Sequence, residues 1–250
     1  MKFQLHSDLH LEFAPYAIKN AGADVLLLAG DICVASGFNT DLGARFLDFF
    51  DTVCHQFEAV CYVPGNHEFY GDDLSTGVQT LRDKLPYQNL HILDNSSVVF
   101  GDTKIVGTTL WSDIESRGPL VQVDCVATIA DYQQIHHNGQ KLTPRATSAI
   151  YRKNVTWLKT QMDHDKCILL THHAPSNVSA SERYRCSNVG AAYWTDLSEL
   201  ILDNPQIKLL HHGHMHNCVD YHIGDTRIIN NPRGYATLGA RDFSPLVVTL

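Results

Sequence analysis

The stretch His211-His212-Gly213-His214-Met215-His216 directly follows the apolar run Ile207-Lys208-Leu209-Leu210. Neutral imidazole is the commonest protein metal ligand. In extended backbone, residues two apart point the same way, so His214 and His216 are expected to face one target. Gly213 permits a turn and a close approach. The same arrangement, an apolar run followed by Asp, Asn or His, occurs four more times: at Asp8/His10, Asp31, Asn66/His67 and His172/His173. Each alone has a bland reading. A Gly-Asp pair after a strand is usually a turn, and a lone strand-end histidine is usually a satisfied structural residue. Five sets obeying one rule point instead to one cleft, because ligands of open α/β sheets bind beyond the carboxyl ends of the strands.

The donor chemistry limits what such a cleft holds. Nitrogen and oxygen ligands without a thiolate suit Mn, Fe, Zn, Co or Ni, whereas calcium prefers an all-oxygen shell. Two aspartates, one asparagine and four histidines exceed the needs of one four-coordinate zinc. They suit two ions sharing a carboxylate, a pair typically about 3.5–4 Å apart.

The elements that must position these groups read as an alternation of strands and helices. Short or continuous apolar runs at Phe3-Gln4-Leu5, Asp24–Ala29, Ala59–Val63 and Lys166–Leu170 are expected strands, the continuous ones buried on both faces. Helices are expected over Asp41–Phe57, where Leu42, Phe46, Phe49, Phe50 and Val53 form a core stripe, and over Leu74–Leu85. A third is expected from the Thr143-Pro144 cap to Met162, and a fourth over Trp194–Leu202. His91–Trp111 reads as a strand meander turning at Gly101-Asp102, and Val219–Asn230 as a hairpin turning at Gly224-Asp225. Two segments stay open. Residues 112–142 fit either a cap over the site or a long connection. Residues 176–193 carry Arg183, Tyr184 and Arg185.

Bulk properties narrow the class. The chain has 250 residues, 44% of them hydrophobic, and no linker, repeat or low-complexity block, so a single domain over 1–250 is expected. The net charge of −8 without a basic run argues against a protein gripping long duplex nucleic acid through its phosphates. Seven cysteines without CxxC spacing read as mostly buried free thiols rather than a disulfide framework. No signal peptide or bilayer-length apolar stretch is evident. A cytoplasmic location, no membrane association and chance glycosylation triplets at Asn95 and Asn154 are therefore expected.

Taken in order, Asp8-Leu9-His10, Gly30-Asp31, Gly65-Asn66-His67-Glu68, Thr171-His172-His173 and Gly213-His214-Met215-His216 resemble the D-x-H, G-D, G-N-H-[DE], strand-end H and G-H-x-H blocks of the calcineurin-like metallophosphoesterases. The resemblance implies an α/β (α+β) sandwich of four αββα layers, with two mixed sheets face to face. It implies one metal on Asp8, His10, Asp31 and His216, and a second on Asp31, Asn66, His172 and His214, bridged by Asp31. His172 is preferred to His173 because it lies nearer the strand end, which leaves His173 to point elsewhere, such as the substrate mouth. The expected cofactors are two ions among Mn, Fe, Zn and Ni, manganese first.

The implied reaction is hydrolysis of a phosphomono- or phosphodiester by hydroxide bridging the metals. His67 would act as the acid at the leaving oxygen; its alternative role is a brace. Glu68 is expected to brace a loop or a ligand, and Arg117, Arg183 and Arg185 to be solvated loop charges. The expected partner is a small phosphorylated substrate. A nuclease, a cyclic nucleotide phosphodiesterase and a non-catalytic metal-binding scaffold are the alternatives. A nuclease would require a positive groove with stacking platforms, which this acidic composition does not offer.

Overall fold

The computed structural model describes residues 1–236 and 244–250. Its strands are β1 (Lys2–His6), β2 (Val25–Ala29), β3 (Ala59–Val63), β4 (Leu90–Ile92), β5 (Ser96–Phe100), β6 (Thr103–Thr108), β7 (His136–His137), β8 (Gln140–Lys141), β9 (Lys166–Thr171), β10 (Ile207–His212), β11 (Val219–Ile223), β12 (Thr226–Asn230) and β13 (Leu246–Thr249). Its α-helices are α1 (Leu42–Gln56), α2 (Leu74–Lys84), α3 (Pro119–Thr128), α4 (Asp131–Gln134), α5 (Pro144–Leu158), α6 (Glu182–Arg185) and α7 (Ser198–Leu202).

The continuous apolar runs pair as two sheets. One has the order β13-β1-β2-β3-β4, the other β11-β12-β10-β9-β6-β5. β1 to β4 are parallel, with β13 antiparallel at one edge. In the second sheet β12, β10, β9 and β6 are parallel, flanked by antiparallel β11 and β5. Side-chain alternation along β2 explains the layering. Val25, Leu27 and Ala29 meet Ile105, Ile168, Leu170 and Leu209 of the other sheet. Leu26 and Leu28 face Phe46, Phe50, Val53 and Leu81 of α1 and α2. On the far side Val106, Leu169 and Leu210 pack against Leu158 and Ile201 of α5 and α7. This is the four-layer αββα sandwich with mixed sheets.

The sequence reading of 91–111 as one meander is corrected. β4 pairs in parallel with β3, and the chain then crosses to the second sheet, where β5 and β6 form a hairpin. Buried Leu93 sits in the crossing, so apolar periodicity alone could not reveal the change of sheet. The helix expected over Trp194–Leu202 is only Ser198–Leu202, because Trp194 pairs with Ala174 in an isolated bridge. The helix capped by Thr143, whose side chain accepts from the Ala146 amide, ends at Leu158 rather than Met162. The turns at Gly101-Asp102 and Gly224-Asp225 stand where expected.

Residues 112–142 are neither loop nor mere connection. Ile114, Cys125, Ile129, Tyr132 and Leu142 form a small core with Phe69, Trp111 and Ala191, beside the carboxyl ends of the strands. All seven cysteines are unpaired, and Cys33, Cys61, Cys125 and Cys167 are buried. No described helix is long and apolar enough to cross a membrane.

Candidate metal centre and active site

The ends of β1, β2, β3, β9 and β10 converge along the seam between the sheets. Asp8, His10, Asp31 and His216 place one donor atom each within 4.8 Å of one another, and Asp31, His172 and His214 do the same. Asp31 is common to both groups. Its Oδ2 lies 3.9 Å from His10 Nε2, and its Oδ1 lies 3.3 Å from His172 Nε2. Asn66 Oδ1 is 2.9 Å from the same His172 nitrogen. His10 Nε2 and His216 Nε2 are 3.0 Å apart.

The donors are delivered differently from the sequence reading. His214 and His216 do not lie on extended backbone. β10 ends at His212, and Asp8, His10, Asp31, His214 and His216 have φ of 52°, 48°, 55°, 69° and 49°. Left-handed backbone at non-glycine residues costs about 1–3 kcal/mol each and persists only where the surroundings over-determine it. Here they do. The Asp8 amide donates to Gly30 O at 3.0 Å, the His10 amide to Asp31 O at 2.9 Å, and the His214 amide to Asp8 Oδ1 at 2.8 Å. Turns held by these bonds, rather than strand alternation, aim the side chains inward. Gly65 and Gly213 leave the needed space. A Cβ on Gly65 would collide with the Asp31 carboxylate, and one on Gly213 with Ala29 O and, at 3.0 Å, with Asp8 Oδ2.

Of the double histidine, His172 reaches the centre. His173 is fully buried, 3.2 Å from Thr109 O and packed against Trp111 and His214, so it does not open to the mouth. His211 and His212 are structural as well. His211 bonds Ile229 O and His6 O, and His212 bonds Gly213 O and Ser179.

The residues fit divalent cations. His172 Nδ1 donates to Ala29 O at 2.8 Å, so the Nε2 of the neutral ring carries a lone pair. That lone pair confronts two further acceptors, Asp31 Oδ1 and Asn66 Oδ1. The Asn66 amide is oriented by its Nδ2, which donates to Asp131 at 2.7 Å. A positive charge must lie among these three atoms: a proton on Nε2 when no ion is bound, or a cation in its place. Asp8 Oδ2 is buried without any hydrogen-bond partner. Burial opposes charge on His172, but Asp31 and Asp8 outweigh it and lift its pKa to about 9. Burial likewise raises the Asp31 carboxyl, yet His172, His67 and His10 hold it well below the usual range. His214 is driven well below the ordinary histidine value by burial and by its neighbours His173 and His172, so it presents a neutral imidazole, the form that binds metal.

His67 stands beside this cluster. Its amide donates to Asp31 Oδ1 at 2.9 Å, and its ring stacks on Tyr70 with centroids 4.2 Å apart. Burial lowers its pKa, but Asp31 and Glu12 more than offset this and raise it to about 9. With no ion on Asp31, the imidazolium prevails at neutral pH. Glu68 is fully buried and accepts from the amides of Gly65 at 2.6 Å, Asp31 at 3.0 Å and Ile32 at 2.7 Å, and from Tyr62 OH at 2.5 Å. It ties the β2 loop to the β3 loop, the bracing role expected of it.

Glu12, Tyr70, Asp131 and Tyr235 escaped sequence reasoning. Glu12 Oε1 accepts from both His10 Nδ1 at 3.1 Å and His67 Nδ1 at 2.9 Å. Asp131 holds Asn66 and Tyr70. Tyr235 OH lies 3.3 Å from His67 Nε2. Only Glu12 carried a signal, its position two residues after His10. The cleft over the centre, about 280 Å³, is lined by Asp31, Asn66, His67, His214 and His216, by Thr128–Asp131 of the cap, and by Tyr70, Tyr184, Tyr193 and Tyr235. Arg185 instead braces its own loop through Asn177 O and Ala180 O, and Arg117 stacks on Trp194.

An αββα sandwich with overlapping nitrogen and oxygen donor groups at its strand ends is a protein built for metal-assisted chemistry on an anionic substrate. The chain belongs to the calcineurin-like phosphoesterase family, whose description matches residues 3–218, and membership supports a metal-binding hydrolase of phosphoric esters. An uncharacterised protein of Acanthamoeba polyphaga mimivirus is 28% identical over 265 residues, 92% of this chain and 90% of that protein. Among solved structures, phosphopantetheinyl hydrolase from Mycobacterium tuberculosis superposes with a TM-score of 0.75 at 13% identity, over 99% of this chain and 95% of that one. A dimetal phosphatase from Danio rerio gives 0.52 at 14% identity, over 92% and 86%. At such identities these structures share the fold with this chain.

Proposed function

We propose that this chain hydrolyses small phosphoric esters with two divalent ions, one held by Asp8, His10, Asp31 and His216, the other by Asp31, Asn66, His172 and His214. The observation that carries the reading is the sharing of Asp31 between two donor groups. The donors, nitrogen and oxygen without thiolate, suit Mn, Fe, Zn or Ni, and manganese is the first expectation. When bound, such ions acidify water and neutralise phosphate oxygens. The protein's own residues do the rest. Glu12 presents its oxygen to His67 Nδ1, which turns Nε2 toward the cleft, where the imidazolium donates its proton to the departing oxygen. Asp131 fixes the Asn66 amide with its oxygen inward. The cap excludes water from one side. The unpaired thiols fit a reducing, cytoplasmic setting.

The test is metal analysis of the purified protein, followed by turnover of p-nitrophenyl phosphate and bis-p-nitrophenyl phosphate with Mn, Fe, Zn and Ni. Stoichiometry near two ions with turnover of either ester is expected. Protein inert with every metal would favour a scaffold instead.

A further inference from the structure

We propose that the cleft receives the organic part of its substrate as an uncharged ring, with Phe13 and Tyr235 forming the seat of the leaving group. The inference rests on the phosphoesterase reading above. A leaving group must lie on the His67 side of the phosphorus to take a proton from that imidazole. On that side stand two further aromatic rings. Tyr235 packs over His10 and His216, with centroids 4.5 and 4.6 Å away. Phe13 meets Tyr235 edge to face, 5.5 Å away at 81°, and lies 6.4 Å from the His67 ring. Phe13 is 55% exposed and stands against Tyr235 at the edge of the cleft, which Tyr235 itself lines.

The turn carrying Phe13 is firmly held. Arg233 donates to Leu9 O at 2.9 Å, Ala14 O at 3.1 Å and Pro15 O at 3.2 Å, while Arg45 donates to Leu11 O at 2.8 Å. Both guanidinium groups are thereby committed to backbone. The opposite wall is also aromatic, running from Tyr184 to Tyr193 and on to His214 at 4.7 and 4.8 Å.

Charge completes the argument. No lysine or arginine is among the described residues lining the cleft, and Asp131 is buried in it. One phosphoryl group meets its counter-charge at the donor cluster. A second anionic group reaching past His67 would meet tyrosines and the Asp131 carboxylate in a partly desolvated cleft, where like charges repel strongly. Planar apolar rings, by contrast, gain from edge-to-face and offset contact with Phe and Tyr.

Calorimetry on the manganese-loaded protein with benzylphosphonate, cyclohexylmethylphosphonate and 4-carboxybenzylphosphonate tests this, because none of them can be hydrolysed. Benzylphosphonate should bind about three- to tenfold tighter than the saturated ring, the worth of one or two aromatic contacts. It should bind at least about tenfold tighter than the carboxylated ring. Phe13→Ala should bring the benzyl and cyclohexylmethyl compounds within about twofold of each other, and Phe13→Tyr should keep them apart. Equal affinities in the native protein, a benzyl advantage surviving Phe13→Ala, or tight binding of the carboxylated ring would each overturn the proposal. Parallel turnover of methyl and benzyl phosphate and of their methyl diesters separates the two claims. Hydrolysis without any ring preference sinks the aromatic seat and leaves the phosphoesterase standing. No turnover of any ester sinks the phosphoesterase, and the leaving-group seat with it.

Discussion

Glu12 gives the sharpest test of how the site is organised. Its one oxygen accepts from His10, a proposed metal ligand, and from His67, the proposed acid. Glu12→Ala removes both bonds at once. Outer partners of ligating histidines are worth about 10–100-fold in metal affinity, so binding of manganese at the site nearer His10 should weaken by that factor. The second loss appears only in the chemistry. General acid catalysis contributes about 10²–10⁴-fold, but only where the departing oxygen needs a proton. With metal held saturating, kcat on a methyl or benzyl ester should fall about 100-fold, while kcat on a p-nitrophenyl ester, whose leaving group departs as a stable anion, should fall less than about tenfold. Glu12→Gln keeps an oxygen acceptor without the charge, and since charge-assisted bonds are roughly twice as strong as neutral ones, it should lie between. Calorimetry measures the first effect and steady-state kinetics the second. Equal losses of kcat on both esters would refute the claim that Glu12 acts through His67.

Other outcomes stem from the same geometry. Glu68→Ala strips the carboxylate that organises the Gly65, Asp31 and Ile32 amides; leaving those buried donors without an acceptor costs about 1–3 kcal/mol apiece, about 10 °C in Tm for a chain of this size, measurable by calorimetry on metal-free protein. Gly65→Ala places a methyl against Asp31 and His172, so metal content by elemental analysis should fall well below that of the native protein while circular dichroism stays native. Native protein should titrate rapidly with a thiol reagent at Cys186 and Cys218, the exposed pair, and more slowly at half-buried Cys54, with Cys33, Cys61, Cys125 and Cys167 reacting only after denaturation; fast modification of any of those four would contradict the packing.

The strand ends were the legible part of the site. Continuous apolar runs before Asp31, Asn66 and His172 announce buried parallel strands, and such strands deliver the residues at their carboxyl ends to one cleft. The backbone at those positions was not legible. Aspartate and histidine in left-handed conformation look the same in a sequence as in an extended one, and only the bonds to Gly30, Asp31 and Asp8 force the choice. Asp131 and Tyr235 were hidden for a different reason. They arrive from segments 65 residues after Asn66 and 168 residues after His67, with no local pattern to mark them. The change of sheet at Leu93 was invisible because each flanking strand is itself ordinary, and pairing is decided by tertiary contact rather than propensity.

The left-handed turns at Asp8, His10, Asp31, His214 and His216 set function against thermodynamic ease. Glycine would adopt those torsions freely, so at these positions the chain carries its functional side chains uphill. A descendant released from the need to hold ions could drift toward glycine at the same places and gain stability by doing so. In such a lineage, decay of the centre would show first as relaxation of its loops, with the sandwich beneath intact.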